Sequence, residues 1–152
     1  MEHNNFCDLK VRGMIRLKWH KNLLKMVQER KGKKIALAVD TSTNETNINL
    51  IADIVKFFKE LSPSTILIEA DFKIRSVTPI TESKQLKYYT HGKSSYTLVL
   101  EWGEEEEIDS LFYITDLTGF IHDELQIDYE VCWLVPTEFV PKAPFGKVMK
   151  IA

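Results

Sequence analysis

Asp40 closes an apolar run, Ile35-Ala36-Leu37-Ala38-Val39, and is followed at once by Thr41-Ser42-Thr43-Asn44, a cluster of oxygen-bearing side chains. A carboxylate and hydroxyls at the end of a strand suit a metal ion or a phosphate. A hard divalent cation such as Mg²⁺, or Mn²⁺ in its place, takes oxygen ligands near octahedral geometry and keeps several waters, so one or two carboxylates with hydroxyls suffice. Asp40, Ser42 and Asn44 are spaced by two at a strand-to-helix turn and can present three oxygens to one point. A second run repeats the layout, Leu111-Phe112-Tyr113-Ile114 ending in Thr115-Asp116. If these strands are neighbours in one parallel sheet, both carboxylates meet at the crevice where open α/β sheets place their ligands. A hydroxyl from the loop near Ser94 and Ser95 completes the set and leaves a position for an acidic group on a partner.

The elements that must position these groups follow from periodicity. Ile15, Trp19, Leu23, Met26 and Val27 form the stripe of an amphipathic helix from Met14 to Arg30, stopped at Gly32. The continuous apolarity of 35–39 suits a strand covered on both faces. Ile48, Ile51, Val55 and Phe58, widened by Leu50, Ile54, Phe57 and Leu61, predict a broad-faced helix ended by Ser62-Pro63. Thr65 to Asp71 reads as a strand, and Ile74 to Ile80 as an edge strand closed near Pro79. A polar stretch leads to a short helix around Tyr96–Trp102, an acidic turn over Glu104–Glu107 and Asp109, and strands at 111–115, 131–135 and 148–151. The order predicts one α/β domain of three layers, Rossmann-like, with a mostly parallel central sheet, one antiparallel edge strand and helices on both faces. We divide the chain into a basic N-terminal extension, 1–32, and a domain, 33–152.

The chain has 152 residues, 44% of them hydrophobic, enough for one ordinary core. Net charge is −2, so the global field gives no argument for nucleic acid. The distribution is uneven: Lys10 to Lys34 holds half of all Lys and Arg and a single acid, Glu29. A solvated outer helix face explains this run, and docking on an acidic partner or phosphate backbone is the alternative. Nucleic acid is not expected, because no aromatic stacking platform or reading motif accompanies the charge. Cys7 and Cys132 make neither a disulfide framework nor a zinc site. No segment approaches the ~18 apolar residues of a membrane span. We expect a cytoplasmic protein with no membrane partner.

Simpler readings compete at each site. Ser42-Thr43-Asn44-Glu45 fits a helix capping box without any metal. Gly92-Lys93-Ser94 is like the end of a phosphate-binding loop, but the first Gly of that motif would fall on Lys87. Asp71 reads as a turn former. The four histidines show no pair at ligand spacing.

The same residues carry a resemblance to von Willebrand factor A-like (VWA-like) domains, whose adhesion-type metal site reads Asp-x-Ser-x-Ser, then a distant Thr, then a distant Asp. Closest is the bacterial VWA-like domain that follows a metallopeptidase-like region. The matching stretches are 38–44, Gly92-Lys93-Ser94-Ser95-Tyr96 with Glu101-Trp102, Phe112 to Leu117, Tyr129 to Trp133, and Ala143-Pro144-Phe145-Gly146. Departures are Asn44 for the second Ser, Ser94 for Thr, Ser95 for a loop Asp, and Leu117 for Gly. The resemblance implies a fold, a metal set of Asp40, Ser42, Asn44, Ser94 and Asp116, and a partner offering an Asp or Glu carboxylate. It implies a MoxR-type AAA ATPase or a peptidase-like chain as that partner. No His-Glu-x-x-His is present, so no peptidase activity transfers. The expected function is a protein-binding module and not an enzyme. The alternatives are a metal-dependent hydrolase or nuclease using Asp40 and Asp116, or a metal-free structural remnant.

Overall fold

The computed structural model describes residues 18–42, 48–89, 94–122 and 124–151. Six strands form one sheet: β1 (Ile35–Asp40), β2 (Ile66–Ala70), β3 (Ile74–Pro79), β4 (Ser110–Ile114), β5 (Glu130–Val135) and β6 (Lys147–Lys150). The spatial order is β3-β2-β1-β4-β5-β6, parallel throughout except for β3, which pairs antiparallel with β2 at the edge. Helices α1 (Lys18–Glu29) and α2 (Ile48–Leu61) cover one face, and α3 (Thr97–Glu105) covers the other. The expected three-layer α/β architecture is what the chain adopts, and β1 and β4 are neighbours.

Each central strand divides its side chains between two cores, because successive residues point to opposite faces. Ile35, Leu37 and Val39 of β1 join Phe112 and Ile114 of β4 and Cys132 and Leu134 of β5 beneath α1 and α2. On the other face Ala36 and Ala38 lie beside Leu111, Tyr113, Val131 and Trp133. The register sets Ala38 against Tyr113 and Tyr113 against Trp133. Small residues on β1 thus sit in the same layer as large rings on β4 and β5, as close packing of a mixed core requires. Gly146, at φ 76°, brings its backbone against Val131, where a Cβ would lie 2.5 Å from the carbonyl oxygen. The same turn lets the Phe145 carbonyl accept the Trp133 indole N–H at 2.7 Å. The Pro-Phe-Gly stretch therefore works as a latch on the buried tryptophan.

Helix α1 buries Trp19, Leu23 and Val27 in the core shared by α2 and the sheet. Its end is fixed by Arg30, which grips Glu130 at the start of β5 with Nε to Oε1 at 2.5 Å and Nη2 to Oε2 at 2.7 Å. Arg30 also donates to the Met26 carbonyl, and Ser110 Oγ donates to Glu130. The predicted helix from Met14 begins outside the described residues and ends at Glu29, and Gly32 follows at φ 85°. One boundary differs from expectation: α3 runs through Glu105, so Glu104 and Glu105 are helical and only the residues after them turn. Glutamate is a good helix former, and the helix carries on through the buried Gly103 before the chain turns at the positive φ of Glu107.

Two measurements check this account. Leu23→Ala should cost about 2–5 kcal/mol in denaturant unfolding, as for a core residue, although α1 precedes the sheet in sequence. The Arg30 hydrogen bonds hold the Glu130 carboxyl down at about 2, against an ordinary value of 4.5. A depressed folded value means stability that is present above pH 4.5 and lost as pH falls through about 2. Glu130→Gln should lower stability at neutral pH, and the gap to wild type should close over that acid range; a gap constant with pH would contradict the ion pair.

Candidate functional site

Because β1 and β4 are adjacent and parallel, Val39 pairs with Ile114 and the next residues, Asp40 and Thr115, come side by side at the carboxyl end of the sheet. Thr115 Oγ1 donates to Asp40 Oδ2 at 2.6 Å, joining residues 75 apart in sequence. Asp40 Oδ1 accepts the Ser42 amide at 3.0 Å and the Ser42 hydroxyl at 2.5 Å. The Asp40 side chain is almost wholly buried, with 1% exposure, and no Lys, Arg or His among the described residues pairs with it. Burial raises its pKa, and the hydrogen bonds from Ser42 and Thr115 only partly offset that rise.

Ser94 lies at the same carboxyl group, where its hydroxyl helps to lower the Asp40 pKa, although its buried Oγ makes no hydrogen bond of ordinary geometry. The segment that carries it is strapped to the loop after β4. Phe120 N donates to the Ser94 carbonyl, Tyr96 N to the Phe120 carbonyl, and Ser95 N to the Asp71 carbonyl. Gly119 makes the close approach possible: a Cβ there would lie 2.5 Å from Tyr96 Cζ and 2.9 Å from Ser94 Oγ.

Tyr96 links this strap to the carboxylate. Its hydroxyl accepts the Gly119 amide at 2.9 Å and lies 2.7 Å from Thr115 Oγ1. Thr115 has one hydroxyl proton and gives it to Asp40, so Tyr96 must donate to Thr115. The result is a directed chain, Gly119 N–H to Tyr96 O–H to Thr115 O–H to Asp40. Burial first, and the Asp40 charge after it, push the Tyr96 pKa up, which keeps its hydroxyl a donor. The ring is held by Tyr113 and Trp133, each with its centroid 5.0 Å away.

Of the expected site residues, Asp40, Ser42 and Ser94 come together. Asp116 stands at the end of β4 beside them, but its Oδ1 accepts the Thr118 amide at 3.0 Å and the Thr118 hydroxyl at 2.6 Å, and it makes no hydrogen bond to Asp40. Asn44 lies outside the described residues, as does most of the capping-box stretch; the Ser42 hydroxyl itself donates to Asp40. Leu117 occupies the left-handed region at φ 64°, the conformation that glycine adopts most easily, so the substituted position keeps a glycine-like backbone. Thr115 and Tyr96 escape a reading by spacing, because their roles depend on contacts distant in sequence. Asp71 and Glu69, on the neighbouring strand, are engaged elsewhere. Arg75 holds Asp71 bidentately at 3.0 and 2.7 Å, and Glu69 accepts Ser76 Oγ and Lys87 N. Among the described residues no group of three metal-ligating His, Cys, Asp or Glu side chains forms.

An open, mostly parallel sheet with an antiparallel edge, helices on both faces and a polar crevice at the strand ends makes this a Rossmann-like α/β domain, an architecture consistent with VWA-like domains. The chain belongs to the VWA-like domain (DUF2201) family, whose model matches residues 35–152. No curated protein and no solved structure matches it. Membership supports a general protein-interaction or adhesion-type module. No helix among the described residues is long and apolar enough to cross a membrane.

The strap yields a test of the site's construction. Gly119→Ala forces Tyr96 and Ser94 aside and should cost about 1–3 kcal/mol, as for overpacking a core. The loss of the Tyr96 aromatic signal in near-ultraviolet circular dichroism should accompany it; unchanged stability would show that the close approach is absent.

Proposed function

We propose that the crevice at the ends of β1 and β4 binds a divalent cation, Mg²⁺ or Mn²⁺, and through it a carboxylate of a protein partner in the cytoplasm. The observation that carries this reading is the buried Asp40 carboxyl, with no positive charge from the described residues paired with it, beside a Ser94 Oγ that makes no hydrogen bond of ordinary geometry. A bare buried carboxylate is costly unless it is compensated, and hydroxyl donors compensate only part of that cost. The donor set fits a hard cation. Ser42 gives its proton to Asp40 and keeps its oxygen lone pairs, Ser94 Oγ has both of its own available, and Asp116 keeps Oδ2 outside its turn. Asn44 is the fifth member. A bound cation would supply an electrophilic point for an acidic side chain. Tyr96 and Thr115 orient Asp40 without being ligands. By analogy of family, the partner is a MoxR-type AAA ATPase or a peptidase-like chain.

Calorimetric titration with Mg²⁺ and Mn²⁺ tests the proposal, with thermal melting as a second readout. A ligand at ten times its Kd adds about 1.4 kcal/mol, or about 3–6 °C for a domain of this size. Wild type should show heat and this shift, and Asp40→Ala and Ser94→Ala should lose or weaken both. No binding at millimolar metal would leave a metal-free scaffold.

A further inference from the structure

A second concavity lies on the opposite side of the sheet from α3, between α2 and the extended segment 83–88. It is an open groove of about 350 Å³, and no residue of the Asp40 crevice lines it. Val55, Leu86 and Tyr88 give it an apolar lining, while Lys56, Lys59 and Lys84 stand around it. Among the described residues no acidic side chain lines the groove, and none of the three lysines forms an ion pair.

We infer that this groove binds an amphipathic organic anion, a molecule with an apolar body and one carboxylate or sulfonate head. Its volume lies in the range of small-molecule sites, roughly 300–1,000 Å³. The apolar body takes the place of water against Val55, Leu86 and Tyr88, where area removed from water is favourable. The head accepts charge-assisted hydrogen bonds from lysine ammonium groups, which have no ion-pair partner among the described residues. A neutral apolar ligand would leave those charges unanswered. A phosphate backbone would answer the charges and leave the apolar lining without a use.

The test titrates the full chain with anilinonaphthalene sulfonate, followed by fluorescence, and then competes with decanoate and with decanol. Saturable binding is expected, displaced by decanoate and not by decanol at equal concentration. The double variant Lys56→Glu with Lys59→Glu should weaken the probe by about tenfold or more, from reversing two nearby charges. Ala52→Trp, at an exposed helix position that lines the groove, should block it, and Asp40→Asn should leave it unchanged. Far-ultraviolet circular dichroism confirms that each variant is folded. Absence of saturable binding by folded wild type, indifference to these groove variants, or equal displacement by decanol would overturn the inference.

Discussion

The Asp40 carboxyl sits at the end of the central strand in nearly complete burial, and a group of that kind must be surrounded by donors. The chain supplies them by an ordered dependence. Ser42 and Thr115 hold the two oxygens, Tyr96 directs Thr115, and the Gly119 amide directs Tyr96. Tyr96 in turn keeps its place because Tyr113 and Trp133 flank it, and Trp133 is latched by the Phe145 carbonyl. A requirement at one strand end thus reaches through the aromatic core of α3's face to the last turn before β6.

The neighbouring strand gives an internal comparison. Asp71 follows β2 as Asp40 ends β1, and it too is buried. Burial would raise its pKa, but the hydrogen bonds and charge of Arg75 outweigh that and hold it below the ordinary value. Arg75 is itself stacked on Tyr89, 4.2 Å from its centroid. Asp71 has its own cation and Asp40 has none among the described residues. Two carboxylates at adjacent strand ends therefore shift in opposite directions: Arg75 stands against Asp71, whereas among the described residues hydroxyl and amide donors alone stand against the more strongly desolvated Asp40.

Much of this was legible from residue type and period. Continuous apolar runs marked the central strands, the broad stripe marked α2, and Ser62-Pro63 and Gly32 marked ends, because these signals act over a few residues. Asp40 and Ser42 were legible from their spacing at a strand end, and the family pattern singled out Ser94 as the loop hydroxyl beside them. Thr115, Tyr96 and Gly119 were not, since a hydrogen bond between residues 75 apart has no local trace. The cis docking of α1 was similarly hidden: its stripe predicted an apolar face, but the surface it meets is seen in the packing of Trp19, Leu23 and Val27 beside α2 and the sheet and in the Arg30 to Glu130 pair. Asp116 shows the reverse limit, where spacing placed a carboxylate correctly at the strand end and could not foresee that Thr118 would hold one of its oxygens.

The proposal that a cation binds at the buried Asp40 carboxyl is tested most directly by titrating its side-chain carbon by nuclear magnetic resonance with and without Mg²⁺. The account predicts a pKa above the ordinary aspartate value in metal-free protein, brought down when Mg²⁺ is added, because a cation favours the charged form. An ordinary aspartate titration that Mg²⁺ leaves unmoved would contradict it.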